Sequence, residues 1–137
     1  MEIFELEEDI ITVSVTARSF PDCIQEAFVI LMDRVPDMAK RTCYGISSKT
    51  ADCRITYKAA VEALSRGEAG HYGLEEVVIK KGTYLSESII GWRENIPSIA
   101  ETFGRLLADP RMDHSQPCVE WYKKGDEVTC MVKIHAE

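Results

Sequence analysis

The sequence predicts an α+β domain in which two pseudo-symmetric β-α-β-β repeats form an antiparallel sheet, with two main helices and a cleft between the halves. Three observations support this prediction. The same order of strand and helix patterns occurs twice, the two helical patterns are of similar length, and the one glycine-rich stretch lies at the midpoint. The chain has 137 residues, which is enough for one compact domain and short for two. We therefore expect a single domain over residues 1–137, divided into a first repeat at about residues 8–64, a linker at 65–73 and a second repeat at about 74–135.

The first repeat begins at residues 10–17, where β-branched residues and partial alternation predict a strand. Serine, proline and aspartate in residues 19–22 are typical of a helix start. Apolar residues then recur at spacings of three and four from Ile24 to Val35, which predicts an amphipathic helix that Pro36 ends. Two further strands are predicted at residues 42–48 and 53–61.

The second repeat has the same order. Residues 75–90 contain a strand with a break near residues 81–84, and apolar residues recur at helical spacing from Trp92 to Leu107. Pro97 is tolerable only in a first turn, so we expect the regular helix to begin near Asn95. A hairpin of residues 117–122 and 127–134 follows. The helix residues expected to be buried against the sheet are Phe28, Leu31, Ile99 and Phe103.

Composition narrows the class of protein. Sixteen basic residues against 23 acidic ones give a formal charge of -7, and the basic residues are scattered, which argues against nucleic acid or an anionic membrane as a partner. No apolar run has the length of a membrane span, and the N-terminus lacks the features of a signal peptide. Five cysteines without a C-x-x-C pair and three widely spaced histidines indicate free thiols and no metal site. We expect a cytoplasmic protein that needs no cofactor.

The residue with the most chemical promise is Glu120. Strand alternation places Glu120 and Tyr122 on one face, and Val119, Trp121 and Lys123 on the other. A carboxylate beside aromatic residues is costly unless it is solvated, paired or kept for a ligand. The spacing alone is compatible both with an exposed edge-strand glutamate and with a ligand-binding one.

Four local matches and the repeated element order resemble one known family. The matches are at residues 43–46, 55–57, 81–91 and 117–122, and the resemblance to the GyrI-like effector-binding domains extends from about residue 8 to 134. These domains are the small-molecule-binding parts of AraC-type and MerR-type multidrug-responsive transcription regulators. The resemblance implies a cleft between the two halves that binds bulky, often cationic and aromatic compounds. The family's characteristic glutamate matches Glu120, and the aromatic residues that the resemblance assigns to the cleft are Tyr57, Trp92 and Tyr122, with Tyr44 and Tyr84 as further candidates.

Three functions follow from this resemblance. The chain has no room for a helix-turn-helix domain, so the first is a stand-alone protein that binds a small molecule, with a homodimer partner or a separate regulator protein. The second is a hydrolase that detoxifies strained electrophiles with Glu120 as acid or base, although the sequence shows no second carboxylate linked to it. The third is a protein–protein inhibitor of DNA gyrase, for which the acidic residues are too dispersed to imitate nucleic acid on one element.

Overall fold

A computed structural model of the protein describes residues 1–52, 54–123 and 125–135. Within these residues the chain has the predicted α+β class, with eight strands that pair only in antiparallel fashion and three helices. The strands are β1 (Glu2–Leu6), β2 (Ile10–Thr16), β3 (Cys43–Lys49), β4 (Ile55–Glu62), β5 (Glu75–Ile79), β6 (Gly82–Ile90), β7 (Cys118–Tyr122) and β8 (Glu127–Lys133). The helices are α1 (Ile24–Arg34), α2 (Glu68–His71) and α3 (Pro97–Leu107).

The strand order shows the internal symmetry. One curled sheet runs β1-β6-β8-β7-β3-β4-β2-β5, so the two repeats meet at β3 and β7 in the centre. A pseudo-twofold axis passes between Gly45 and Glu120, which lie opposite each other at the centre of the β3–β7 pair. Rotation about this axis exchanges β3 with β7, so it carries each residue pair on one side onto a pair on the other side. These flanking pairs are Cys43 with Tyr122 and Ser47 with Cys118.

Strand β1 extends the repeat beyond its predicted start. No strand is predicted for residues 2–6, yet they form an edge strand on β6, while β5 forms the opposite edge on β2. Each outer strand therefore pairs with the other repeat. The acidic residues are tolerated because an edge strand has one side free for solvent, while Phe4 and Leu6 pack inward. The break predicted near residue 82 separates β5 from β6, and residues 65–73 contain the short helix α2.

The sheet has an apolar cluster on each face. Helix α1 packs on β2 and β4, and α3 packs on β6 and β8, on one face. The opposite face carries a separate cluster that includes Tyr44, Tyr84, Val119 and Met131. Because the helices cover the outer strands of each half, the central strands β3 and β7 lie uncovered between them. A groove with a strand floor and helical walls is the geometric consequence.

Of the four helix residues that were predicted to be buried against the sheet, only Leu31 is completely buried. Its side chain is inaccessible to solvent, whereas Phe28, Ile99 and Phe103 are half-buried. These three belong to the predicted apolar stripes, but their outer edges face the central groove rather than the sheet. The helix α3 begins at Pro97, two residues after the predicted position, with the proline at its first residue.

A buried ion pair fixes the connection between the halves. The Arg41 guanidinium donates two hydrogen bonds to Glu68 at 2.6 and 2.5 Å, and donates further bonds to the carbonyl oxygens of Pro36 and Glu62. Glu68 also accepts the backbone N–H of Leu64 at 2.8 Å. The hydrogen bonds from Arg41 are the largest influence that holds the pKa of Glu68 at about 2. Helix α2 is thereby attached to the beginning of β3 and the end of β4.

Four of the five cysteines lie in the described residues, and all four, Cys23, Cys43, Cys118 and Cys130, are free thiols. Cys53 lies outside the described residues, as does Lys124 of the predicted hairpin turn. In the described part of the chain, no helix combines the length and the hydropathy that crossing a membrane requires.

Candidate ligand-binding site

A groove of about 1340 Å³ lies between α1 and α3. Its floor is the central pair of strands with one contribution from β4, and its walls are largely apolar and aromatic. The floor residues are Cys43, Ser47, Tyr57, Cys118, Glu120 and Tyr122. The principal wall residues are Phe20, Phe28 and Met32 on one side, and Trp92, Ile96, Ile99 and Phe103 on the other.

Strand alternation decides which floor residues face the groove. Glu120 and Tyr122 point to the helix face of the sheet, whereas Val119 and Trp121 belong to the cluster on the opposite face. This is the arrangement that the sequence predicted for β7. On β3 the same alternation places Gly45, the partner of Glu120 in the ladder, on the groove side.

Two tyrosines converge on one carboxylate oxygen. Tyr57 Oη donates a hydrogen bond to Glu120 Oε1 at 3.0 Å, and Tyr122 Oη donates to the same oxygen. Gly45 makes the convergence possible. A Cβ atom at residue 45 would lie 2.1 Å from Tyr57 Oη and 2.6 Å from Glu120 Oε1, far inside contact distance.

The carboxyl group of Glu120 has no cationic partner among the described residues. Burial raises its pKa, and the hydrogen bonds from the two tyrosines only partly oppose that shift. Burial also raises the pKa of Tyr57 and of Tyr122, and it raises the pKa of Cys118 to about 11. The phenols and this thiol therefore stay protonated at neutral pH. Among these floor groups, Glu120 is the one that a bound cation can hold in the ionised form.

Aromatic rings surround this carboxylate. The Tyr122 ring lies 5.2 Å from the ring of Trp92 and 6.2 Å from that of Phe28, while Tyr57 stacks on Phe20 at 5.9 Å. Ring faces attract organic cations by roughly 0.5 to 2 kcal/mol each. The combination of an unneutralised carboxylate and aromatic walls can hold a flat or bulky cation. The same walls can bind neutral aromatic groups through apolar contact alone.

The structure brings four of the six sequence-predicted site residues together: Tyr57, Trp92, Glu120 and Tyr122 all line the groove. Tyr44 and Tyr84 do not. Both lie on the opposite face of the sheet, each only 3% exposed, and Tyr84 Oη donates to the carbonyl oxygen of Lys80. Alternation along β3 explains the position of Tyr44. Because its neighbour Gly45 faces the groove, Tyr44 faces the other side of the sheet.

Trp92 reaches the groove from an unexpected element. Its helical spacing predicts that it starts the second long helix, yet it begins a short 3-10 turn, Trp92–Glu94, ahead of α3. The Arg93 guanidinium lies 4.7 Å from the centre of its ring and also pairs with Asp126 at 3.0 Å. These contacts hold the indole at the rim of the groove.

Phe20, Phe28 and Gly45 are site residues that the sequence does not predict. The apolar stripe of α1 predicts Phe28 as a core residue. Gly45 enters the sequence-based predictions only as a member of the tetrapeptide at residues 43–46. The alternation along β3 could have predicted Gly45 as a site residue, because it places a residue without a side chain between two neighbours that face the groove.

Replacing Gly45 with alanine will disrupt the tyrosine–glutamate contact. We expect a loss of about 1–3 kcal/mol in unfolding free energy because the added methyl group displaces Tyr57 or Glu120. The measurement is urea denaturation. In the double variant Gly45→Ala/Tyr57→Phe, which removes the nearest clashing atom, part of the loss should be recovered.

Gly104 provides a matched control for this experiment. It lies within α3, and a Cβ atom there meets nothing within 4 Å. Gly104→Ala should therefore keep or raise stability, by up to about 1 kcal/mol, through helix propensity. Equal losses at the two glycines would contradict the assigned role of Gly45.

No family model matches the chain, and no curated protein matches it at a significant level. Solved structures do share its fold. SAV2435, solved with bound tetraphenylphosphonium, has a TM-score of 0.64 at 12% identity and covers 98% of this chain and 93% of its own. A Staphylococcus aureus protein described as a candidate transcription regulator has a TM-score of 0.55 at 16% identity and covers 96% of this chain and 97% of its own.

A hydrolase from Listeria innocua also has this fold, with a TM-score of 0.59 at 9% identity and coverage of 98% of this chain and 90% of its own. At these identities the similarities establish a shared fold and no common activity. The chain is thus similar in architecture to proteins of three different descriptions. Its own function has to be argued from the groove.

Proposed function

We propose that this protein binds small molecules and that its groove takes lipophilic cationic aromatic compounds. The observation that carries the proposal is Glu120, a carboxylate that has no cationic partner among the described residues and lies on the floor of an aromatic groove. An uncompensated buried charge costs stability, and a bound cation would offset that cost. In this proposal the protein acts in the cytoplasm and sequesters its ligand, or presents it to a second copy or to a separate regulator protein.

Each part of the groove adds a separate preference. The ionised carboxylate favours a cation, the ring faces add cation–π attraction, and the apolar walls favour bulky hydrocarbon groups. A neutral compound of the same shape loses the first two contributions and keeps the third. An anion gains only the apolar contact and is repelled by Glu120.

The comparisons support the proposal without establishing it. A protein with this fold has been solved with tetraphenylphosphonium, which is a lipophilic aromatic cation. The motif resemblance to GyrI-like effector-binding domains points to the same ligand class and to the same glutamate. The relation to transcription-regulator domains is part of this proposal.

A direct test compares a cation with a neutral compound of similar shape. Methyltriphenylphosphonium should bind at least about tenfold more tightly than triphenylphosphine oxide in isothermal titration calorimetry, because only the cation interacts with the carboxylate and the ring quadrupoles. Equal affinities would contradict the proposed ligand class.

The two tryptophans report where the cation binds. Trp92 lines the groove, whereas Trp121 lies on the opposite face beside Phe4. Ligand-induced fluorescence changes should persist in Trp121→Phe and disappear in Trp92→Phe. A response that depends on Trp121 would place the ligand outside the groove.

A hydrolase is the second candidate, favoured by the raised pKa of Glu120 and its contacts with two phenols. Protonated Glu120 could transfer its proton to the leaving atom of a strained electrophile while water adds to the carbon, and a proton from the water would restore the acid. Incubation with such a compound followed by mass spectrometry would show a product heavier by one water. Unchanged substrate at high protein concentration would exclude this activity for the compound tested. No described surface feature favours inhibition of DNA gyrase over these two candidates.

A further inference from the structure

We propose that the groove selects among cations by the number of N–H donors at the cationic centre, and that it favours centres with at most one. Quaternary ammonium, phosphonium and tertiary ammonium groups would be preferred to primary ammonium and guanidinium groups. The inference rests on the proposed function and concerns how Glu120 is hydrogen-bonded.

Only half of the carboxylate is available to a ligand. A carboxylate oxygen has about two acceptor positions. The hydroxyl groups of Tyr57 and Tyr122 both donate to Oε1 of Glu120, so this oxygen is already satisfied. Oε2 receives no hydrogen bond from a described residue.

Oε2 is open to the groove. In the described part of the chain, no fully buried side-chain nitrogen or oxygen lacks a hydrogen-bond partner. An oxygen without a protein donor must therefore be accessible, and Glu120 lines the groove. The site thus offers a bound cation its full negative charge but only one carboxylate oxygen as an acceptor.

Among the floor residues of the groove, Glu120 carries the one carboxylate. Gly45 contributes no side chain, Cys118 is a protonated thiol, and Phe28 and Trp92 provide ring surfaces. Ser47 lies two residues along β3 from Gly45 and pairs with Cys118 rather than with Glu120.

The number of N–H donors on the ligand then determines how many hydrogen bonds to water are lost without replacement when it binds. A primary ammonium has three N–H donors and a guanidinium has five. Transfer from water to Oε2 satisfies one donor well and leaves the others against aromatic surface, which is unfavourable. A quaternary centre has no donors to satisfy, and a tertiary one has a single donor that matches Oε2.

Gly45 is the positioning residue for this selectivity. The space that its missing side chain leaves holds the Tyr57 hydroxyl, so that Tyr57 reaches the same oxygen to which Tyr122 donates. If Tyr57 were held away, Oε1 would regain an acceptor position and a second N–H donor could be accommodated. Selectivity is therefore a property of the two tyrosines and not of the charge alone.

The test uses one aromatic skeleton with a graded donor count. The probes are 2-naphthylmethylammonium and its N-methyl, N,N-dimethyl and N,N,N-trimethyl derivatives, all monocations at pH 7. Calorimetry on the wild-type protein should show the trimethyl compound binding about tenfold or more tightly than the primary ammonium, since an unmade hydrogen bond to a charged group is worth about one such factor or more.

Added methyl groups also increase apolar contact, so the tyrosine variants separate the two causes. In Tyr57→Phe and in Tyr122→Phe, a freed position on Oε1 can accept a second N–H, and the affinity ratio between trimethyl and primary compounds should fall several-fold. Tyr44→Phe, on the opposite face of the sheet, should leave the ratio unchanged. A ratio near one in the wild-type protein, or a ratio that both groove variants leave unchanged, would overturn the proposal.

The outcomes also distinguish this inference from the proposed function. If the probes bind and all weaken in Glu120→Gln, but the tyrosine variants have no effect on the ratio, only the donor rule is wrong. If none of the four probes binds at millimolar concentration, the cation-binding function and the donor rule both fail.

Discussion

Replacing Glu120 with glutamine will weaken the binding of lipophilic cations by about 10- to 100-fold and will change the binding of their neutral analogues little. Glutamine keeps the shape of the side chain, and its carbonyl oxygen can still accept the hydroxyl groups of Tyr57 and Tyr122. The variant therefore removes charge and little else, and a charge-assisted contact is worth about 1.5–3 kcal/mol. Titration calorimetry with methyltriphenylphosphonium and triphenylphosphine oxide measures both affinities.

Cation binding by the wild-type protein should depend on pH, and Glu120→Gln should remove that dependence. Burial raises the pKa of Glu120, so the empty groove favours the protonated acid and a cation favours the ionised one. Cation affinity of the wild-type protein should fall as the pH drops through the raised pKa, whereas the weaker affinity of Glu120→Gln should stay flat. The groups that face this carboxyl are the hydroxyls of Tyr57 and Tyr122 and the thiols of Cys118 and Cys130, all of which remain protonated across this range.

The contribution of Glu120 to the stability of the ligand-free protein should increase as the pH falls, whereas its contribution to cation affinity should decrease. A carboxyl group with a raised pKa in the folded state stabilises the fold fully at pH values below its unfolded-state pKa. That contribution is lost as the pH rises through the folded-state pKa. Glu120→Gln should therefore be more stable than the wild-type protein at neutral pH, and the difference should vanish as the pH falls to the ordinary glutamate range.

Glu101→Gln is the control for these measurements. Glu101 is exposed on α3, and its replacement removes the same charge from a site outside the groove. It should change neither cation affinity nor the pH profile beyond a small screened effect. Equal losses for the cation and the neutral compound in Glu120→Gln would show that the carboxylate does not contact the ligand.

Replacing Glu68 with alanine will destabilise the protein by about 3 kcal/mol, which is the second large effect we expect. The change leaves the Arg41 guanidinium buried without its bidentate partner, and it also removes the acceptor of the Leu64 N–H. For a domain of this size the midpoint of thermal unfolding should fall by about 10 °C. Thermal and urea unfolding followed by circular dichroism provide the measurement.

The pH dependence of this pair has the sign opposite to that of Glu120. The pKa of Glu68 is lowered to about 2, so its contribution to stability is present above the ordinary glutamate range and is lost as the pH falls toward 2. The Arg18–Glu26 pair, which lies at the surface, is the matched control, and Glu26→Ala should change stability little. If the difference in unfolding free energy between the wild-type protein and Glu68→Ala did not change with pH, the assigned ion pair would be contradicted.

Local patterns in the sequence determined the chemistry of each element. The alternation of residues 118–122 placed Glu120 and Tyr122 on one face and Trp121 on the other, and the structure has this arrangement. The 3.6-residue periodicity located the two long helices to within a few residues. The two passes of the same pattern predicted the antiparallel sheet and its symmetry. These features depend on which neighbours a residue has along one strand or one helix, and such neighbours are visible in a sequence.

Tertiary structure decided how the elements face one another. Tyr44 and Tyr84 are aromatic residues on strands like Tyr57, but the curl of the sheet encloses them on the face away from the helices. Phe28 belongs to a core stripe and becomes a groove wall only because the two helices lie apart, one on each side of the uncovered strands β3 and β7. Contacts of this kind join residues that are distant along the chain, so no local pattern specifies them.

Gly45 shows the difference most clearly. The sequence places it on the same face of β3 as its groove-facing neighbours, and any small residue would satisfy that alternation. Only the pairing of β3 with β7 and of β3 with β4 brings Glu120 and Tyr57 into the space where its side chain would be. The sequence alone determined that Glu120 and Tyr122 share one face of β7, and the packing of three strands decided that the hydroxyls of Tyr57 and Tyr122 meet on one oxygen of that carboxyl group.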